Sequence, residues 1–111
     1  MAERRFRVVW AEAAARDLEE IVAFVAEDSP TSAERLLGAL RARAASLATV
    51  PHRGRVVPEL SHFGMRSWRE LVLRPYRILY RVSGDSVTVL AVFDGRRDLE
   101  DLLLERLLRT S

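Results

Sequence analysis

The segment with the most chemistry in this sequence is Tyr76-Arg77-Ile78-Leu79-Tyr80-Arg81-Val82. Its alternation reads as a strand with Tyr76, Ile78, Tyr80 and Val82 on one face and Arg77, Leu79 and Arg81 on the other. If the first face packs on helices, Arg77 and Arg81 project from the opposite face. Arg69 in Trp68-Arg69-Glu70, and Arg96-Arg97 beyond the next apolar run, are placed to join them. Guanidinium groups gathered on a sheet grip phosphates or carboxylates bidentately. The plainer alternative is that these arginines pair with Glu59, Glu70, Asp85, Asp94 and Asp98 as ordinary surface residues.

Most other chemistry is excluded by residue type. All 18 basic residues are arginine and none is lysine, so no Schiff base or lysine general base is available. There is no cysteine, hence no disulfide, thiolate metal site or thiol nucleophile. His52 and His62 stand ten residues apart in irregular stretches and read as solvated loop residues, with no metal expected. No glycine-rich phosphate loop or Gly-x-Ser-x-Gly is present, and nothing calls for a cofactor. Charge is uneven: residues 1–49 carry 7 Arg and 8 acids, residues 50–97 carry 9 Arg and 4 acids, and residues 98–111 carry 2 Arg and 4 acids. An anionic partner should therefore meet the middle of the chain.

The elements that position these residues follow from periodicity. Phe6, Val8 and Trp10 alternate as a short strand. Ala14, Leu18, Ile21, Val22 and Val25 make one stripe of a helix from Ala11 to about Glu27. Asp28-Ser29-Pro30-Thr31 breaks it, with Ser29 as cap and Pro30 at the first helical position, or Thr31 with Glu34 as a capping box. A second helix reaches about Ala48, and the short link makes the pair an antiparallel hairpin. Gly38 inside it costs about 1 kcal/mol relative to alanine, which a close helix contact would explain. Trp68–Arg74, Tyr76–Val82 and Val87–Phe93 are three strands in a meander, and Asp98 can cap a last helix from Leu99 to about Arg109. The order β-α-α-β-β-β-α predicts an α+β fold: an antiparallel sheet that includes the first strand, with the helical hairpin packed on one face. At 111 residues, with 49% hydrophobic and 31% charged residues, the chain is expected to be a single domain, residues 1–111. It has no apolar run long enough for a membrane span and no signal peptide, so a cytoplasmic protein that meets no membrane is expected.

Several strings taken together resemble a known family. Val9-Trp10, Asp17-Leu18-Glu19-Glu20-Ile21, Ala26-Glu27-Asp28-Ser29-Pro30 and Ala33 are similar to the opening of the ParE branch of the RelE/ParE toxin superfamily. The likeness continues through Pro51-His52-Arg53-Gly54-Arg55-Val56-Val57-Pro58-Glu59-Leu60, Arg69-Glu70-Leu71, Pro75-Tyr76-Arg77-Ile78 and Tyr80 to Gly95-Arg96-Arg97-Asp98-Leu99. It covers roughly residues 8–99, in order.

The resemblance implies the toxin of a type II toxin–antitoxin module, held by a cognate antitoxin of the ParD or another type, and associated with plasmid stabilisation. ParE-like members are associated with blocking DNA gyrase, and RelE-like members with cutting messenger RNA on the ribosome. Operator DNA would be met only through the antitoxin. Under the first reading no catalytic residue is expected, and Arg69, Arg77, Arg81, Arg96 and Arg97 form a functional basic surface. Under the alternative, Arg77 and Arg97 would stabilise the transferring phosphoryl and Glu59 would act as base. The remaining nuclease pattern is poor, with no lysine and no Tyr or His after Tyr80, while Asp94, where many ParE-like chains have His, departs from the ParE pattern itself. A nucleic-acid-binding module is a third reading, opposed by the net charge of only +2. The antitoxin's extended tail needs apolar anchors, and the last helix is rich in leucine. Leu104 and Leu108 are expected to meet the antitoxin or a second copy, while Leu99, Leu103 and Leu107 are as readily core.

Overall fold

The computed structural model describes residues 4–110, with the side chains of residues 107–110 left out of the description. Strand β1 (Arg7–Trp10) leads into helices α1 (Glu12–Asp28) and α2 (Pro30–Ala45), which a 3-10 turn at Ser46–Ala48 closes. A two-residue strand β2 (Arg55–Val56) and a one-turn helix α3 (Pro58–Ser61) follow. Strands β3 (Trp68–Leu73), β4 (Tyr76–Ser83) and β5 (Ser86–Asp94) then make the meander, and α4 (Leu99–Thr110) ends the chain.

Local chemistry accounts for the boundaries. The Ser29 hydroxyl accepts from the Ser32 N–H at 3.2 Å with Pro30 behind it, so Ser29 is the cap rather than Thr31. Asp98 accepts from the N–H groups of Glu100 and Asp101 at 2.9 and 3.4 Å and starts α4. Gly84 turns the β4–β5 hairpin at φ +60°, a conformation that favours glycine. Gly38 meets nothing within 4 Å, so the close contact expected for it is absent and nothing in the fold explains it.

The five strands run in the order β1-β5-β4-β3-β2. The expected antiparallel pairing holds for β3–β4 and β4–β5, and β2, a strand not expected, adds antiparallel to β3, but β1 pairs with β5 in parallel, with Val8 opposite Val87 and Trp10 opposite Val89. The helical hairpin between β1 and the meander is what permits this: a parallel neighbour requires a crossover long enough to carry the chain back. The α1–α2 hairpin covers one face through Leu18, Leu40 and Ala44, with Leu47 of the 3-10 turn beside them, against Leu71, Ile78, Tyr80, Val87, Val89 and Val92. The opposite face is not open, as the sequence reading had it. Leu60 of α3 and Leu99 and Leu102 of α4 pack there on Leu79, Ala91 and Phe93. The sheet is therefore covered on both sides, and this decides what the arginines can do.

Candidate functional site

The α3–α4 face of the sheet holds a chain of alternating charges. On β4, Arg77 stands opposite Val72 of β3 and Phe93 of β5, with its guanidinium 5.1 Å from the Phe93 ring centre. It is 7% exposed. Its two terminal nitrogens donate to the Glu59 carboxylate at 2.7 and 2.8 Å, and its Nε donates to Glu70 at 2.6 Å. The side chain of Glu70 is fully buried, and its second oxygen accepts from Arg55 Nε at 2.6 Å. The order is Arg55–Glu70–Arg77–Glu59, joining β2, β3, β4 and α3.

This arrangement is what burial demands. A lone guanidinium between Phe93 and the α3–α4 layer would be prohibitively costly, and only a full set of charge-assisted bonds offsets the loss of water. The hydrogen bonds that Arg77 donates to Glu59 hold the Glu59 carboxyl below its ordinary pKa and the Arg77 guanidinium above its own. Glu59 is thus a persistent anion and a weak base. Every nitrogen of Arg77 already bonds to a carboxylate, so its charge is neutralised before any substrate phosphate arrives.

The other expected site residues are dispersed. Arg69 lies on the α1–α2 face, because its register partner is Tyr80; it donates to the carbonyls of Gly54 at 2.7 Å and His52 at 3.4 Å. Arg81 does share the face of Arg77 but lies out over the Trp68 ring at 5.6 Å, exposed. Arg96 folds back onto Asp94, with Nε at 2.9 Å and a terminal nitrogen at 2.5 Å, and these bonds lower the Asp94 carboxyl to a pKa of about 2. Arg97 pairs with Glu105 of α4 at 3.0 Å. The five arginines thus form no common exposed surface: Arg77 is buried and saturated, and Arg69 faces the other way. Pairing with Glu59, Glu70 and Asp94, the plainer expectation, is what Arg77 and Arg96 do. On α4, Leu99 and Leu102 are buried, Leu103 is half-buried and Leu104 is 57% exposed, while the Leu108 side chain lies outside the described residues. Among the described residues no cluster of His, Asp or Glu could hold a metal ion, and no helix is long and apolar enough to cross a membrane.

Residues not singled out by sequence reasoning hold the site together. Tyr80 is fully buried, and its hydroxyl accepts from the Gly54 N–H at 2.9 Å, while burial pushes its pKa up. A Cβ on Gly54 would fall 2.5 Å from the Glu70 carbonyl oxygen and 2.6 Å from the Tyr80 hydroxyl, so only glycine fits. Asp17 on α1 accepts from the Val92 N–H at 3.0 Å and from Arg106 of α4. The β1 pairing ends at Val89, so this carboxylate replaces the missing strand partner of Val92. Burial raises the Asp17 pKa.

Comparison with known proteins agrees with this architecture. The family described as "ParE toxin of type II toxin-antitoxin system, parDE" matches residues 8–99. The chain belongs to the ParE toxin family. A relative from Sinorhizobium fredii (strain NBRC 101917 / NGR234), named "Putative toxin Y4kP", is 35% identical over 101 residues, spanning 89% of this ParE chain and 98% of its own. Among solved structures, the chromosomal ParDE system from P. aeruginosa superposes with a TM-score of 0.68 at 22% identity, covering 82% of this chain and 97% of that one. The toxin–antitoxin complex RelBE2 from Mycobacterium tuberculosis superposes at 0.60 with 23% identity, covering 84% and 94%. These two likenesses show the fold shared by ParE and RelE toxins. The protein is a type II toxin of the ParE family.

Proposed function

We propose that this ParE-family protein arrests growth by binding DNA gyrase in the cytoplasm rather than by cutting messenger RNA, and that a cognate antitoxin neutralises it. The observation that carries the first part is the saturation of Arg77. Two carboxylates take its Nε and both its terminal nitrogens at 2.6–2.8 Å. A nuclease needs a cation free to meet the charge that develops on a transferring phosphoryl, and a base whose pKa lies near the working pH. Here the cation is neutralised and Glu59 is held ionised. Arg97, the second arginine of the nuclease reading, is occupied by Glu105. The family described for this chain is named for its parDE pairing, and both structural neighbours are described as toxin–antitoxin assemblies, which supports an antitoxin partner. We assign Leu104, with Leu108, to that contact, because an exposed leucine on the outer side of α4 gains nothing from the toxin's own core.

The test is a gyrase supercoiling assay run beside an in vitro translation assay with ribosomes and message. Loss of supercoiling without site-specific cleavage is expected. Ribosome-dependent cleavage that disappears in Arg77→Ala would reverse the assignment.

A further inference from the structure

We infer that an open depression between the end of β3, the Arg74–Pro75 link and Gly95 is a carboxylate-binding site, occupied by an acidic side chain on an extended segment of the antitoxin. The inference rests on the antitoxin partner proposed above and adds where its acidic chain is gripped. The depression measures about 340 Å³, with Arg55, Arg74 and Arg96 on its walls and Val72 and Pro75 beside them, over the buried Arg77.

Charge is the first argument. Four guanidinium groups stand here, Arg55, Arg74, Arg77 and Arg96, and they bond with three carboxylates, Glu59, Glu70 and Asp94. One positive charge is left over, and it belongs to Arg74, which is exposed and bonds to no acid among the described residues. Arg55 uses only its Nε on Glu70 and keeps both terminal nitrogens for an incoming oxygen. One carboxylate would neutralise the set and take bidentate bonds from a fork that is already held in place.

Shape is the second. Gly95 donates its N–H to the Pro75 carbonyl at 2.6 Å, and a Cβ there would come within 3.0 Å of that oxygen and of Arg77 Cδ. Any side chain at 95 would therefore crowd the floor, so glycine keeps the depression open.

Backbone is the third. The Trp68 carbonyl accepts from the Val57 N–H, so alternation turns the peptide groups of Glu70 and Val72 to the same outer edge of β3. Strand β2 reaches along β3 only as far as Arg55, opposite Glu70, and leaves Val72, paired with Arg77 on its inner side, without a strand partner on that outer edge. An extended chain running past Val72 can bond to that edge while a side chain drops among the arginines. A single surplus charge on a partly apolar floor suits one acidic residue of a peptide. A nucleic-acid path needs a row of unneutralised cations.

Binding of the cognate antitoxin to the toxin, measured by calorimetry across salt concentrations, tests the site with Arg74→Gln, Arg74→Lys and, as a control on α2, Arg35→Gln. Arg74→Gln should weaken binding about fivefold near physiological salt, the difference closing by about 0.5 M, with Arg74→Lys recovering part. Arg35→Gln should bind as the parent does, and all three should melt alike. Equal affinity for Arg74→Gln, or equal weakening by Arg35→Gln, overturns the site while leaving the antitoxin reading intact. Failure of the parent protein to bind the antitoxin overturns both. A single-stranded RNA 12-mer that binds through Arg74 and displaces the antitoxin would assign the depression to nucleic acid instead.

Discussion

Replacing Glu70 by glutamine should be the most costly conservative change in this protein. The carboxylate is fully buried and accepts from Arg55 Nε and Arg77 Nε, both at 2.6 Å. An amide can turn one oxygen to one arginine but must then point N–H groups at the other. Removing one partner of a buried ion pair costs about 3–5 kcal/mol. Arg77 keeps Glu59, which puts its share at the low end of that range. Arg55 is 60% exposed on its side chain and can return to water for about 0–1 kcal/mol. The expected loss is therefore about 3–4 kcal/mol, a drop in Tm of roughly 12–15 °C for a domain of this size. Urea unfolding of the parent and Glu70→Gln reads it directly, through a lower midpoint at unchanged slope. The companion is Glu70→Leu with Arg77→Met, which removes both charges and should recover most of the stability. A loss below about 1 kcal/mol for Glu70→Gln, or a double variant no better than the single, would show that the network is not what holds this face.

Gly54→Ala places a methyl 2.5 Å from the Glu70 carbonyl and should cost about 3 kcal/mol in a thermal melt. On α4, Leu102→Ala should lose about 2–4 kcal/mol from a site 2% exposed, while Leu104→Ser, at 57%, should stay within about 0.5 kcal/mol yet weaken antitoxin binding. Glu59 has a folded pKa below its unfolded one, so its contribution is complete above about pH 4.5 and is lost as pH falls through the folded value. Urea midpoints from pH 7 down to pH 3 should therefore fall less steeply for Glu59→Gln. Asp17 works in the opposite sense: burial raises its pKa, so the energy it adds is present at acid pH and is lost as pH rises through the folded value. Asp17→Asn should accordingly remove that loss, so that stability climbs more steeply from acid to neutral pH, and, by weakening the link to Arg106, speed amide exchange at Val92.

The elements legible in the sequence are those whose periodicity is long. The two N-terminal helices, the meander and the last helix are each seen within a few residues, because a stripe or an alternation repeats several times in each. Strand β2 is two residues long and α3 one turn, too short for either period to show, and Val57-Pro58 reads simply as a break. The parallel docking of β1 depends on a tertiary choice of edge that four residues cannot announce. The faces of β3 were within reach. The two-residue link Arg74-Pro75 pairs Leu73 with Tyr76, and counting back puts Arg69 opposite Tyr80 and Glu70 on the Arg77 side. That count identifies Glu70 as the partner of Arg77 without any coordinates. What it leaves out is the cover on that face: α3 is too short for its Leu60 to show a period, and which side of the leucine-rich α4 turns inward, through Leu99, Leu102 and Leu103, is decided only when the sheet is present.

The fate of a guanidinium on this sheet follows from the number of carboxylates within its reach. At position 77 the backbone aims the side chain across Phe93, under α3 and α4, where an unpaired cation would not survive burial. With acids at both 59 and 70, all three guanidinium nitrogens are engaged and the arginine is a brace joining β4 to β3 and α3. With one of them neutral, a donor pair would be released toward the depression lined by Arg55 and Arg74, and the same strand would present a cation able to hold a phosphate. Glu59, at the surface end of the chain with 39% of its side chain exposed, is the member that can be removed with the smaller structural penalty. Glu59→Gln should therefore leave the protein folded at neutral pH while binding inorganic phosphate more tightly than the parent or Arg77→Gln does. Arginine side-chain NMR during a phosphate titration follows this at Arg77 Nε. An unmoved Arg77 signal in Glu59→Gln would mean that Glu70 alone suffices to neutralise the arginine, and that carboxylate count at this position does not separate a bracing arginine from a binding one.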